Sequence, residues 1–463
     1  MKIEATSLDA YRLMHDGTLA LARAERAGIR CDVKYIETQK KLLTKKINRL
    51  EEKLKDSKFY RHWEHSSKSK INIYSDTQLR VFLYSVKKLE PIKTTTSGKG
   101  STDEEALLAL NIPELNALIQ IRKLQKIRDT YLGGFLREQV NGIIHPSFNL
   151  HLVKTFRSSS DRPNFQNIPM RDKESMQLTR RALFPRHGHQ LLCVDYSGLE
   201  FNINACYSRD PVMVEYCNDP SSDIHADIAR QVFLLDNFDK SIPDHKILRS
   251  AAKNGFVFPQ LYGDYYKNCA SNLSCNWGHL STGKWKKGQG ISIENISLSD
   301  HLIEKGIHSL SDYEEHIEKV QDKFFTKFSV HSKYMKTTYR NYIKTGKVTS
   351  HTGFTCSGIM SKNQVLNAPV QGSAFHCLLW ALIESDKALD QRNLKTRLIG
   401  QIHDELVLDV YPPELPEILT LVQEITCVEL PKAWKWINVP LSVDAEVCGV
   451  DESWANKKKI DIP

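Results

Sequence analysis

The sequence predicts an α+β fold, and three observations carry that expectation. Helical periodicity dominates the N-terminal region up to about residue 139, a buried strand is read at Leu191–Val194, and two further strands, "TRLIGQIH" and "LVLDV", flank an adjacent Asp404–Glu405 pair. At 463 residues the chain exceeds one ordinary core, so two or three subdomains are expected. Hydrophobic residues at 41% and charged residues at 26% describe a globular chain rather than a disordered one. No apolar run approaches a membrane span and no secretory signal opens the sequence, so no membrane partner and an intracellular address are expected. The ten cysteines include no C-x-x-C pair, which argues against a zinc ribbon or a disulfide framework. A net charge of +9 is a weak pointer to polyanionic partners.

Taken in order, residues 5–27 read as a helix leading into the turn and strand "GIRCDV". A second helix follows, with Ile36, Leu43, Ile47, Leu50 and Leu54 on one stripe; its lysines fit either a solvated or a nucleic-acid-facing surface. Ser75 and Asp76 can cap a helix beginning near Thr77, and Ser101 or Thr102 opens a capping pattern for the next. From "GIIHPSFNLHLVKTFRSSSDRPNFQNIP" the texture changes to short extended pieces and turns. A strand and a helix are expected in "HQLLCVDYSGLEFNINACYS", mostly helices over 221–355, and a helix after Asn367.

Asp195 and Asp404 each end a buried apolar run. A carboxylate there is costly unless it is paired, hydrogen-bonded or bound to a cation. Were the two strands neighbours, both carboxylates could converge on hard divalent cations; taken singly, each also fits a turn cap. Arg249 and Lys253 lie at i and i+4, so one helix face could hold a polyphosphate between them. Arg157, Gln166 and Asn167 fall in a turn-rich stretch suited to hydrogen bonding with a nucleic-acid backbone or groove. Asn367 and Gln371 adjoin an apolar helix, where capping is the plainer explanation.

In their order along the chain, "DYSGLE", "RSAAKNGFVFPQLYG" and "HDELVLDV" resemble motifs A, B and C of the family A DNA polymerases, the bacterial DNA polymerase I family. "TFRSSSDRPNFQNIP", "DIHADIARQVF" and "NAPVQGSA" resemble the landmarks between them, while "RAERAGIRCDV" and "VPLSVDAEVCGVDESW" resemble the edges of the polymerase domain. The resemblance implies a right-hand fold with an antiparallel-sheet palm, a helical thumb and helical fingers. It places a lead-in to the palm at 1–30, the thumb at 31–138, palm with motif A at 139–205, fingers with motif B at 206–354 and palm with motif C at 355–463.

The implied activity is template-directed extension of a primer 3'-end with deoxynucleoside triphosphates, releasing pyrophosphate. Asp195, Asp404 and the backbone carbonyl of Tyr196 would ligate two Mg2+ ions, with Glu405 beside them and better able to be lost. Arg249 and Lys253 would hold the triphosphate, Lys253 as a catalytic cation, and Tyr262 would lie near the templating base. Glu200 matches the steric gate against a ribose 2'-hydroxyl. Arg157, Asn367, Gln371 and His403 match contacts to the primer terminus or minor groove; Gln166 and Asn167 match contacts to both strands. Primer-template DNA and deoxynucleoside triphosphates are the implied partners. No proofreading domain fits within these residues, so either the enzyme lacks one, a partner such as a separate 3'-5' exonuclease supplies it, or the chain is part of a longer protein; replication proteins are further candidate partners.

The chain also departs from the family pattern. Gly198 and Asn202 stand where relatives more often carry Gln and Arg. Nine steps rather than the usual eight separate Lys253 from Tyr262, and Pro259 lies between them, so a kink or bulge is expected around Phe256–Pro259. Counting back from Tyr262 selects Phe258 as the sugar-contacting aromatic, whereas counting forward from Lys253 lands on Val257; Phe256 is the other candidate. An insertion over about 266–312 contains Cys269, Cys275 and His279, which admit a metal site, but its basic "GKWKKGQG" favours a loop touching DNA or a partner. Two rival readings are a phage-type single-subunit RNA polymerase, opposed by Glu200 and "HDELV", and a catalytically dead DNA-binding scaffold, opposed by Asp195, Asp404, Arg249 and Lys253.

Overall fold

The computed structural model describes residues 5–91, 94–95, 97–170, 172–274 and 291–462. The chain divides into two compact units: Met1–Lys41, Lys126–Ser222 and Phe328–Pro463 form the first, Leu42–Gln125 and Asp223–Lys327 the second. Among the described residues no helix is long and apolar enough to cross a membrane.

The first unit is built on a five-stranded antiparallel sheet. Its strands are β1 (Gln190–Tyr196), β2 (Arg397–Ile402), β3 (Glu405–Val410), β4 (Val443–Val447) and β5 (Lys458–Ile460), in the order β2-β3-β1-β4-β5. The runs Leu191–Val194 and Leu406–Leu408 are buried throughout rather than in alternation, because the central strands are covered on both faces. A 30-residue helix, Lys362–Gln391, packs on β2 and β3 and on the helices Ser7–Ala27 and Leu199–Ser208. That helix was expected after Asn367 but begins at Lys362. The reciprocal capping box of Ser361 and Gln364 starts it, and Pro369 is tolerated inside, its carbonyl accepting the Tyr207 hydroxyl at 3.2 Å. A smaller four-stranded sheet, Gln139–Val140, Ile143–Ile144, Ile29–Cys31 and Leu183–Phe184, and two two-stranded sheets, Ser147–Asn149 with Ser159–Asp161 and Lys347–Thr349 with Thr355–Ser357, also belong to this unit.

In the second unit, the Leu42–Gln125 segment is helical around stacked Trp63 and Phe82 rings 5.5 Å apart. Upstream, the Val33–Lys55 helix buries Ile36, Leu43, Ile47 and Leu54, four of the five predicted stripe residues; Leu50 is half-buried. Ser75 caps Asp76–Arg80 as expected. The next cap is Asp103 rather than Ser101 or Thr102: its carboxylate accepts from the Ala106 N–H, while the Thr102 hydroxyl donates to Asp76. The Asp223–Lys327 segment pairs the helix Ile224–Val232 with Pro243–Ala252, and Tyr266–Ser274 with Leu310–Lys327.

The bulge expected near Pro259 is a π-helical stretch, Lys253–Val257, followed by a short α-turn, Phe258–Leu261. The Phe258 N–H reaches back to the Lys253 carbonyl, five residues away. The extra residue is absorbed there, one turn before Pro259, which then sits in the first turn of new helix where no donor is required of it. Within the predicted insertion, Tyr266–Ser274 and Leu298–Glu304 are helical. Cys269 is fully buried and takes a hydrogen bond from Gln260 at 3.2 Å, the environment of a core thiol; Cys275, His279 and "GKWKKGQG" lie outside the described residues.

Candidate active site

The strand register brings the two predicted aspartates to one end of the five-stranded sheet. β1 lies between β3 and β4, and Asp195 pairs across to Glu405 on one side and Asp444 on the other. Ile402 and Glu405 close the β2–β3 hairpin, so His403 and Asp404 form its two-residue turn. Such a turn needs a positive φ, and His403 supplies it at 55°. The Asp404 carbonyl accepts the Tyr196 N–H at 3.3 Å, tying the turn to the end of β1.

Charge at this end is unbalanced. Asp195 opens to solvent, yet burial by the surrounding protein, and then the neighbouring Asp404 and Glu405 carboxylates, push its pKa up to about 7. The opening to water softens the desolvation part of that shift without removing the like-charge repulsion. Asp444 has partners of its own, the Ser197 hydroxyl at 2.7 Å and Lys459 at 3.2 Å, which hold it below the usual carboxylate range. Asp404 has Arg157 at 3.9 Å. Among the described residues no three His, Cys, Asp or Glu side chains converge as a ready-made metal site. Two oxygen donors with surplus negative charge nevertheless fit magnesium, which commonly takes one or two carboxylates and completes its shell with waters and phosphates.

Arg157, Glu200, Gln371, His403 and Asp404 line one small cavity of about 50 Å³. The backbone next to Arg157 is held by His376 of the long helix. The neighbouring Phe156 carbonyl accepts from His376 Nε2 at 3.1 Å, and His376 Nδ1 accepts from the Thr352 hydroxyl at 2.7 Å. Gly372 lets the loop approach, since a Cβ there would stand 2.6 Å from the Thr155 carbonyl oxygen. Burial pushes the His376 pKa down to about 3, in keeping with a neutral ring that donates at one nitrogen and accepts at the other. Glu200 lies in the first turn of Leu199–Ser208, where the helix dipole favours a carboxylate. Gly198 precedes that helix at φ 64°, a left-handed conformation that accounts for glycine at this departure from the family pattern. Asn202, the other departure, donates to the Pro440 carbonyl at 3.4 Å and accepts from the Cys217 thiol.

Asn367 and Gln371 sit one turn apart inside the long helix, not at its start, and Asn367 Oδ1 is buried without a hydrogen-bond partner among the described residues. Gln166 and Asn167 are not among the residues lining the cavity. Gln166 donates to the Ser158 hydroxyl at 2.7 Å, as Gln401 also does, and Asn167 is exposed on a turn capped by Asn164.

The second unit carries the predicted cations. Arg249 Nε and Lys240 Nζ both lie 2.8 Å from Asp223 Oδ2. Burial would raise the Asp223 pKa, but hydrogen bonds from Arg249, Lys240 and the Ala226 N–H outweigh it and hold the group at about 2. Lys253 Nζ stands 5.3 Å from the Phe258 ring centre, and the His225 ring lies 5.9 Å from the same ring. Burial, helped by Lys253 and Arg249, pushes the His225 pKa down to about 3. Phe256 instead turns inward onto Phe324 at 5.8 Å, fully buried, and Tyr262 is buried at the end of the Phe258–Leu261 turn. Asp223 and His225 were not singled out from sequence, although both belong to the "DIHADIARQVF" landmark and an Asp preceding a helix is a cap signal.

The profile of DNA polymerase family A matches residues 33–281 and 304–456. DNA polymerase I of Lactococcus lactis subsp. lactis (strain IL1403) is 29% identical over 382 residues, covering 81% of this chain and 39% of that protein. The thermostable DNA polymerase I of Thermus filiformis is 28% identical over 446 residues, covering 95% and 47% respectively, so the chain spans less than half the length of these relatives. A solved structure, the POL domain of Pol1 from M. smegmatis in complex with DNA primer-template and dNTP, aligns with a TM-score of 0.72 and 25% identity over 96% of this chain and 70% of that one. With the profile spanning most of its length and the motif aspartates brought together at one sheet end, the chain belongs to DNA polymerase family A.

Proposed function

We propose that this chain extends a DNA primer 3'-end with deoxynucleoside triphosphates, directed by a template strand. The observation that carries the proposal is the convergence of Asp195 and Asp404 at the end of β1 and in the β2–β3 turn, with surplus negative charge. The likeness to a solved polymerase domain in complex with primer-template and dNTP supports those two ligands. Asp195, Asp404 and the Tyr196 carbonyl would hold two Mg2+ ions, which supply activation of the primer 3'-hydroxyl and stabilisation of the leaving pyrophosphate. The primer oxygen would bond to the α-phosphorus as the bond to pyrophosphate breaks, so positioning and charge neutralisation are the protein's share.

Arg249 and Lys253 would hold the triphosphate, Phe258 the sugar and Tyr262 the neighbourhood of the templating base. Lys253 and Phe258 lie within 5.3 Å of each other, which supports Phe258 over the inward-facing Phe256. Glu200 would exclude a 2'-hydroxyl. Arg157, Gln371 and His403, which share the Asp404 cavity, would contact the primer end with Asn367, while Gln166 and Asn167 would touch the duplex. In this reading 31–138 serves as thumb, 206–354 as fingers and the remainder as palm. Extension of a labelled primer with Mg2+ tests it: deoxynucleotide incorporation far above ribonucleotide incorporation is expected. No extension by folded protein favours the scaffold, and equal use of both nucleotides favours an RNA polymerase.

A further inference from the structure

Beside the aspartate end of the sheet lies a lysine that the proposed chemistry does not use. Lys457 directly precedes β5, and its side chain is only 11% exposed. Its Nζ stands 2.5 Å from Glu446 Oε2 and 3.6 Å from Glu405 Oε2. The register explains the meeting: Glu405 pairs with Asp195 and Glu446 pairs with Cys193, so all four share one face of adjoining strands. Trp454 lies beside this cluster: its Nε1 donates to Cys193 Sγ at 3.2 Å, and the Arg180 guanidinium stacks 4.4 Å from its ring. Glu405 Oε1 is buried with no well-formed hydrogen bond among the described residues, the Cys193 thiol being its carboxylate's other polar neighbour.

A buried carboxylate with an unsatisfied oxygen, next in sequence to Asp404 and opposite Asp195, would turn toward any divalent cation those aspartates hold. Lys457 is the group that opposes this, since its charge is shared by Glu405 and Glu446 behind the site. We infer that Lys457 is a positioning residue that restrains Glu405 by ion pairing, leaving Asp195 and Asp404 as the carboxylates that bind divalent cation. The inference rests on the polymerase reading and explains why two adjacent carboxylates would have unequal roles.

The test is Mn2+ binding to the full chain, read by electron paramagnetic resonance at pH 8.5, alongside primer extension. Lys457→Met, or Lys457→Gln should the first not fold, is expected to bind Mn2+ about three-fold or more tighter, because one positive charge is lost and Glu405 is released. Its kcat is expected to fall, because a third carboxylate now competes for the ions. Lys457→Arg should match the wild type, and Lys457→Met/Glu405→Gln should return Mn2+ affinity toward it. Unchanged Mn2+ affinity in the neutral variants overturns the inference, as does a double variant that keeps the full change. A wild-type chain that neither binds Mn2+ nor extends primers sinks the polymerase reading itself; one that extends normally while the variants bind Mn2+ unchanged sinks only the role of Lys457.

Discussion

Asp195 and Asp404 crowd one end of a sheet, with Arg157 3.9 Å from Asp404, whereas Arg249, in the other unit, is already held by Asp223 at 2.8 Å. The acidic group is fixed by strand register and left short of positive charge. The cationic group is carried on a helix that runs into a π-helical stretch, and its arginine has an internal carboxylate partner. The contrast teaches that an incoming cation relieves repulsion at the first place, while an incoming polyphosphate must compete with Asp223 at the second. Carboxylates crowded together ask for a cation, and an arginine already paired resists a new anion.

The sharpest break of this comparison is Asp195→Asn, which keeps the shape and removes a charge. It is expected to lower single-turnover extension about 10³-fold with little loss of thermal stability, since like-charge repulsion is relieved; extension within a few-fold of wild type would show that the repulsion serves no cation. Next comes Arg249→Ala, which removes a charge-assisted contact worth about 1.5–3 kcal/mol and should raise the KM for deoxynucleotides about 10- to 100-fold. Asp223→Asn should act in the opposite direction, lowering that KM by freeing Arg249, and steady-state kinetics on both variants decides it.

Two of the buried histidines, one in each unit, give a smaller and pH-dependent effect. His225 and His376 have folded pKa values of about 3, below the ordinary value of 6.5. Their neutral forms therefore contribute stability that is fully present above pH 6.5 and is lost as pH falls toward 3, by about 1.4 kcal/mol per pH unit for each group. The urea midpoint of the wild type should be lower at pH 5 than at pH 7, and His376→Gln should reduce that difference. An unchanged difference would mean that His376 is not buried neutral.

The smallest effect distinguishes two phenylalanines. Phe258→Tyr should change dideoxynucleotide incorporation at nearly unchanged stability. Phe256→Tyr should leave incorporation unaltered and cost about 1–3 kcal/mol, because its hydroxyl would be buried against Phe324. A change only at position 256 would reverse the assignment.

Much of the carboxylate platform was legible because it is local: apolar runs ending in Asp195 and before His403–Asp404 fix strands and a tight turn without knowledge of the rest. The bulge in motif B was legible too, since nine steps and Pro259 cannot fit a regular helix; its place one turn earlier was not, because hydrogen bonding before a proline can shift by a turn. The start of the long helix was missed because the Ser361–Gln364 capping box outweighs a later proline. Lys457, Glu446 and the His376 clamp were hidden for another reason. Each depends on a pairing between residues far apart in sequence, such as Glu446 against Cys193 and His376 against Phe156, which no local pattern announces.

The central claim is that the adjacent Asp404 and Glu405 are unequal, and single-turnover extension with saturating Mg2+ on Asp404→Ala and Glu405→Ala tests it most directly. The account predicts that Asp404→Ala abolishes extension while Glu405→Ala retains measurable activity. Full extension by Asp404→Ala, or a greater loss in Glu405→Ala, would contradict it.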